Sequence, residues 1–278
     1  MKAIITGAGG FLGRALVARL RASGCAVLAP PRAELDWRDA AAVGRFLAAS
    51  DVTTLYHLAS SGVGNTNADD PAILADELAM AYAIGAAAPA GMRIVYAGSM
   101  AEYGRAGRLA ETDDVAPRNG YARAKVEAGR ILSGRSPGAT VHARLFGLYG
   151  PGEAAGRLLP AISAALRESR PIALSDGLQR RDFVHVEDAA HALAELGPLP
   201  HPPATVNVGT GIALEVRAVA LALARGLGAD PALLQFGARA RSPHDQDVLE
   251  ADTALLAESL GWVPPQRLDP AAALQGEG

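Results

Sequence analysis

Lysine is nearly missing from this chain. Two stand among its 278 residues, Lys2 and Lys125, against 24 arginines. The single cysteine, Cys25, rules out an internal disulfide and fits a reducing compartment. Its neighbours Ala26-Val27-Leu28 point to a buried, inert strand thiol. No apolar run reaches the ~18 residues of a membrane helix, and MKAIITGAGG is too short in its apolar stretch for a secretory signal. A cytoplasmic protein is therefore expected. Net charge is −3, with no basic block or aromatic-spaced basic stripe, which argues against a nucleic-acid partner. No metal site is expected either.

The length suits one large domain, or a major domain with a smaller lobe. Short apolar runs at Lys2–Thr6, Ala26–Ala29, Thr53–Leu58, Ile94–Gly98 and Val141–Phe146 alternate with helical stretches, the first at Phe11–Ala22. That rhythm predicts crossover connections and an α/β fold, a doubly wound parallel sheet covered on both faces. After Gly150-Pro151-Gly152 the rhythm changes. A helix is expected over Ala155–Arg167, strands near Pro171–Leu174, Phe183–Val186 and Thr205–Val208, and a helix over Leu214–Leu227. The expected division is a dinucleotide-binding domain over 1–150, with segments returning to it at about 181–210. A smaller substrate lobe then takes 151–180 and 211–278, its end fraying from Leu268.

Thr6-Gly7-Ala8-Gly9-Gly10-Phe11-Leu12-Gly13 lies between the first strand and its helix. Gly7 permits the tight turn, Gly10 the approach of a pyrophosphate, and Gly13 close helix–strand packing; Gly9, Phe11 and Leu12 complete the cradle. The helix N-terminus offers unpaired N–H groups and a positive dipole end. The second strand ends in Ala29-Pro30-Pro31-Arg32, without the acid that grips a ribose 2′-hydroxyl. Arg32, aided by Arg14, therefore favours NADP(H) over NAD(H), although an ordinary surface arginine reads the same way. Asp36 is placed either to accept from the adenine amino group or to cap a helix beginning near Arg38.

Tyr121 and Lys125 stand one helical turn apart after Pro117. A tyrosine of ordinary pKa, roughly 10, is a poor base at neutral pH, and a nearby ammonium favours its phenolate. The pair makes a hydroxyl able to exchange a proton with a carbonyl or alcohol oxygen. Ser99, ending the run Ile94-Val95-Tyr96-Ala97, can hydrogen-bond that same oxygen. Each piece also has a bland reading, a glycine-rich turn or surface packing, and it is their combination that speaks for chemistry.

With these motifs the chain resembles the extended short-chain dehydrogenase/reductases, the nucleotide-sugar epimerase, dehydratase and reductase group. The likeness runs nearly end to end: TGAGGFLG at 6–13, HLA at 57–59, GSMAEYG at 98–104, YARAK at 121–125, RLFGLYGPG at 144–152, RRDFVHVEDAA at 180–190, NVGTG at 207–211 and LGWVP at 260–264. It implies a Rossmann-type fold and a catalytic set of Ser99, Tyr121 and Lys125, with Lys125 also on the nicotinamide ribose. Leu58 and Ala59 would face the cofactor, while His57 would be packed. Arg181 would meet a substrate pyrophosphate, with Arg241 or Arg239 as a second contact; its competing role is a salt bridge to Asp182 or Glu187. His185 and Asp188 would be structural, and Leu260-Gly261-Trp262 would pack the lobe. The substrate implied is a nucleotide sugar, and a homodimer would pair the helices at Asp69–Ala88 and Tyr121–Leu132.

Three departures narrow that expectation. Gly147 stands where relatives carry an asparagine that touches sugar or phosphate. Met100 and Ala101 follow Ser99 where the dehydratases carry Asp-Glu, so 4,6-dehydration is excluded. The chain is short, which implies a trimmed lobe. The expected activity is a ketoreductase on a nucleotide-linked 4-keto-6-deoxy sugar. A nucleotide-sugar epimerase using NAD is the alternative, and a non-catalytic NADP-binding sensor the third reading.

Overall fold

The computed structural model describes residues 2–61, 68–135, 139–243 and 245–268; the expected fraying from Leu268 falls almost wholly on 269–278, outside them. The chain opens with β1 (Lys2–Thr6), α1 (Phe11–Ala22), β2 (Ala26–Leu28), α2 (Ala40–Ala49), β3 (Thr54–His57), α3 (Pro71–Ala87) and β4 (Arg93–Ser99). A single 3₁₀ turn, Met100–Tyr103, leads to β5 (Gly107–Leu109), α4 (Gly120–Arg135), β6 (Thr140–Leu145) and β7 (Gly147–Tyr149). Then come α5 (Leu158–Arg167), β8 (Ile172–Leu174), β9 (Arg180–His185), α6 (Val186–Leu196) and β10 (Thr205–Val208). The chain continues through β11 (Ala213–Glu215), α7 (Val216–Gly226), β12 (Leu234–Phe236), β13 (Val248–Ala251) and α8 (Ala254–Leu260).

Six strands form the main sheet in the order β10-β6-β4-β3-β1-β2, every pair parallel. Neighbouring side chains point to opposite faces, and the core divides accordingly. Ile5, Tyr56, Val95 and Val141 pack with α1, α6 and Leu256 of α8. Ile4, Leu55, Ile94 and Tyr96 pack instead with α2, α3 and α4. Burying each such Leu or Ile contributes about 1.5–3 kcal/mol, which is why continuous apolar strands settle between two helix layers.

A second sheet, β11-β9-β13-β5 with β7 paired to β9, draws β5, β7 and β11 from the segments that follow β4, β6 and β10 in the chain. A two-stranded ribbon of β8 and β12 is covered by α5 and α7 through Ile162, Leu166, Leu174 and Leu223. β10 returns to the main sheet. β9, expected among the returning segments, pairs in the second sheet instead, because its Arg180–Asp182 edge is taken by β11 and β13. The helix expected from Leu214 begins at Val216, since Ala213–Glu215 is drawn into antiparallel pairing with β9. Likewise α5 starts three residues later than its periodicity suggests, with Arg157 as its N-cap.

Candidate active site

The glycine turn has a backbone only glycine allows. Gly7 lies at φ +70°, and a Cβ there would stand 2.7 Å from the Ala59 nitrogen. A Cβ on Gly13 would meet the Gly7 carbonyl oxygen at 2.1 Å, so helix and strand touch backbone to backbone. Gly9 faces open space, and Gly10 stands at the N-cap of α1, so no side chain caps the helix. Phe11, Leu12 and Gly13 thus open the helix with N–H groups that its own turns leave unsatisfied. Thr6 locks the neighbouring strand end: its hydroxyl accepts from the Leu58 and Ala59 N–H groups and meets His57 Nδ1 at 2.8 Å. His57 is wholly buried, and burial holds its imidazole down at about 4, so it is packed and neutral.

Beyond β2, Asp36 is not the cap of the helix that follows. Asp36 accepts from the backbone N–H and guanidinium of Arg38, which hold its carboxyl down at about 2. The cap of α2 is Asp39, accepting from Ala41 and Ala42. Arg38 also reaches Asp76 of α3 at 2.8 Å, tying the two segments together. Arg32 is exposed past the strand end, close enough for its charge to bear on Asp36. Arg14 donates to the Gly9 and Gly152 carbonyls and so braces the glycine turn against the turn after β7.

α4 carries Tyr121 and Lys125 against β4. Its first turn is fixed from outside, Gly120 donating to Asp69 and Tyr121 to the Ala68 carbonyl. The Lys125 ammonium sits 5.8 Å from the centre of the Tyr121 ring and 5.2 Å from that of Tyr96. It is only 2% exposed. Its charge partner is Glu77 of α3, at 3.2 Å and fully buried, whose Oε2 also accepts from the Tyr96 hydroxyl at 3.4 Å. Burial pushes the Lys125 ammonium towards losing its proton; the charge and hydrogen bond of Glu77 lead the groups that outweigh it and hold the ammonium above the ordinary lysine value. Tyr96, buried beside the Glu77 and Glu102 charges, is pushed well above the ordinary phenol value and stays neutral.

Ser99 ends β4 and caps the 3₁₀ turn. Its Oγ accepts from the Ala101 N–H at 3.2 Å, which leaves the hydroxyl hydrogen for another acceptor. Glu102 reaches back to the Ser99 N–H at 2.8 Å, completing a capping box. The other lone pairs of Glu102 meet His142 Nε2 at 2.9 Å and Arg144 Nε at 3.0 Å, both on β6. Burial raises the Glu102 carboxyl, and His142, Arg144 and the Ser99 N–H more than reverse it. The polar residues inside this buried strand are thereby explained. Glu102 is fully buried and occupied, so it offers no acid in place of the Asp-Glu pair that Met100 and Ala101 replace.

Arg181 and Arg241 meet at one carboxylate. Arg181 donates to Asp245, not to Asp182 or Glu187, and Arg241 pairs with both Asp245 and Asp247. Asp182 instead accepts from the Thr210, Gly211 and Ala251 N–H groups, locking the second sheet. Gly147 is a packing glycine: a Cβ would stand 2.9 Å from the Asp182 carbonyl oxygen, so β7 could not lie on β9. His185 caps α6, Asp188 is buried against Arg267, and Trp262 stacks on His191 while donating to Glu195.

Glu77 is the residue of this cluster that patterning missed. Its signal is a lone carboxylate facing inward from Pro71–Ala87, a helix apolar nearly all round. Among the described residues no group of His, Cys, Asp and Glu is arranged to hold a metal ion, and no helix is long and apolar enough to cross a membrane.

A glycine turn feeding a helix at one end of a parallel sheet, with a buried lysine under a tyrosine two strands away, defines a dinucleotide-handling α/β enzyme of the short-chain dehydrogenase/reductase type. Residues 3–209 match the model of the NAD dependent epimerase/dehydratase family, and the chain belongs to that family. It is 28% identical over 295 residues to the dTDP-6-deoxy-L-talose 4-dehydrogenase (NAD(P)(+)) of Kitasatospora kifunensis, spanning 95% of this chain and 91% of that one. It is 30% identical over 302 residues to the UDP-glucose 4-epimerase of Mycolicibacterium smegmatis, spanning 95% and 94%. Among solved structures, the NAD complex of Thermus thermophilus UDP-glucose 4-epimerase superposes with a TM-score of 0.83 at 23% identity, all of both chains covered. The Pseudomonas aeruginosa protein RMD with NADPH also gives 0.83 at 23%, over 99% and 97%. At that identity the structures share the fold.

Proposed function

We propose that the chain is an NADP(H)-preferring ketoreductase acting on a nucleotide-linked 4-keto-6-deoxy sugar or a similar keto-sugar. The observation that carries this reading is Lys125, a buried ammonium close to the ring of Tyr121 and to that of Tyr96 on β4, the strand that ends in Ser99. The dinucleotide would be held by Gly7, Gly9, Gly10, Phe11, Leu12 and Gly13, with Leu58 and Ala59 along its course and Arg32 and Asp36 at the adenosine end. The uncapped helix start and the open face of Gly9 suit a pyrophosphate there. When bound, it supplies the hydride.

The rest is done by this chain's side chains. The Ser99 hydroxyl hydrogen-bonds the substrate carbonyl oxygen, and Tyr121 delivers its proton to that oxygen as negative charge develops. Lys125 holds the phenol reactive throughout. Arg181 and Arg241 share Asp245 and present two guanidinium forks that suit a diphosphate. The occupied Glu102 and the absence of an acid at Met100 and Ala101 favour reduction over dehydration. Steady oxidation of NADPH by one of a panel of nucleotide keto-sugars is the expected result; no turnover across the panel by cofactor-loaded protein would contradict the proposal.

The likeness to a mycobacterial UDP-glucose 4-epimerase favours a second reading, internal oxidation and re-reduction by the same three residues with NAD. Denaturing purified protein and identifying any released dinucleotide separates the two: retained NAD with no net redox turnover is the epimerase outcome. Tyr82 of α3, half exposed, suits a homodimer built on α3 and α4.

A further inference from the structure

We propose that Glu77 is a positioning residue for Lys125, keeping its ammonium charged and fixing the direction of its N–H donors. The inference deepens the proposed function, resting on Lys125 as the partner of Tyr121. An ammonium has three donors. Glu77 takes one from the α3 side at 3.2 Å, so the tetrahedral geometry aims the other two away from α3. Without a fixed partner, a four-carbon stem would leave them undirected.

Among the described residues nothing else does this. Tyr121 faces Lys125 from its own helix, Tyr96 from β4 as an uncharged ring, and His57 from β3 as a buried neutral imidazole. Glu102, on the 3₁₀ turn, is the other carboxylate whose charge is felt there, and it is already bonded to His142 and Arg144. Glu77 is thus the carboxylate in contact with the amine. It reaches the amine from α3, whereas Tyr121 stands on α4, the lysine's own helix. A buried amine that loses such a partner sheds its proton several pH units early.

The scarcity of lysine makes the test direct. In a Lys2→Arg background with ¹³Cε-labelled lysine, one NMR signal remains, that of Lys125. It should keep its ammonium shift to a pH above the ordinary lysine value of about 10.4. In the Glu77→Gln variant it should titrate at least about two pH units below that value. Glu77→Asp, which keeps the charge, should recover most of the difference. The turnover of Glu77→Gln should rise as pH is lowered through the titration of Lys125, a dependence that a packing defect would not produce. A parent Lys125 that titrates below the ordinary value, or a Glu77→Gln variant that leaves it unmoved, overturns the proposal. Should Glu77→Gln not fold, the parent titration alone decides. A correctly titrating Lys125 in a protein that turns over no substrate would sink the functional reading and leave this one standing.

Discussion

At Gly13 one hydrogen atom decides whether the turn exists. With the position of a Cβ only 2.1 Å from the Gly7 oxygen, Gly13→Ala must push helix and strand apart or distort the turn. The expected result is a lower melting temperature and dinucleotide affinity weakened more than about tenfold, 1.4 kcal/mol, both measurable by thermal shift and titration of the reduced cofactor's fluorescence. Unchanged affinity would mean that the cradle lies elsewhere. The glycine spacing and the Tyr121/Lys125 pair were legible in the sequence because each is local, a few residues within one turn. Glu77 was not. A carboxylate paired over 48 residues of chain leaves no local pattern. Asp36 misled for the opposite reason, offering a local capping pattern that Asp39, three residues on, takes up instead.

At the scale of elements, Asp39 is a clear test of how α2 is held. Its carboxylate accepts from two N–H groups of the first turn, and Asp39→Ala should cost about 1 kcal/mol, read as a shift in the urea midpoint with an unchanged slope. A midpoint that does not move would show the cap to be idle. The long strands and Phe11–Ala22 were visible because apolar runs and helical periodicity extend over enough residues to be recognised. β5, β7, β11, β12 and β13 are three or four residues each and were invisible, since their pairing is made by partners distant in sequence. The expected helix from Leu214 shows the same rule: helical spacing at Leu214 and Glu215 yields to sheet pairing with β9.

For the whole molecule, the order β10-β6-β4-β3-β1-β2 sets the chemistry by setting distances. Two strand steps at about 4.8 Å each separate the glycine turn at the end of β1 from Ser99 at the end of β4, a span suited to an extended dinucleotide. The molecule's response to pH also belongs to this scale. Glu153, nearly buried in the turn after β7, has its carboxyl pushed up to about 7 by burial, against the pull of Arg157. A carboxyl raised above its unfolded value favours the fold while protonated, so its contribution is full below the ordinary value of about 4.3 and is lost as pH rises through 7. Glu153→Gln should therefore melt progressively higher than the parent between about pH 4.5 and 8. A difference independent of pH would place the cause elsewhere.

The central claim is that Tyr121 hands a proton to a substrate held beside a bound nicotinamide. Comparing parent and Tyr121→Phe for keto-sugar-dependent oxidation of NADPH, with dinucleotide affinity measured on both, tests it most directly. Tyr121→Phe should lower the rate by about 10²–10⁴-fold with affinity nearly unchanged. Equal turnover by the two proteins would contradict it.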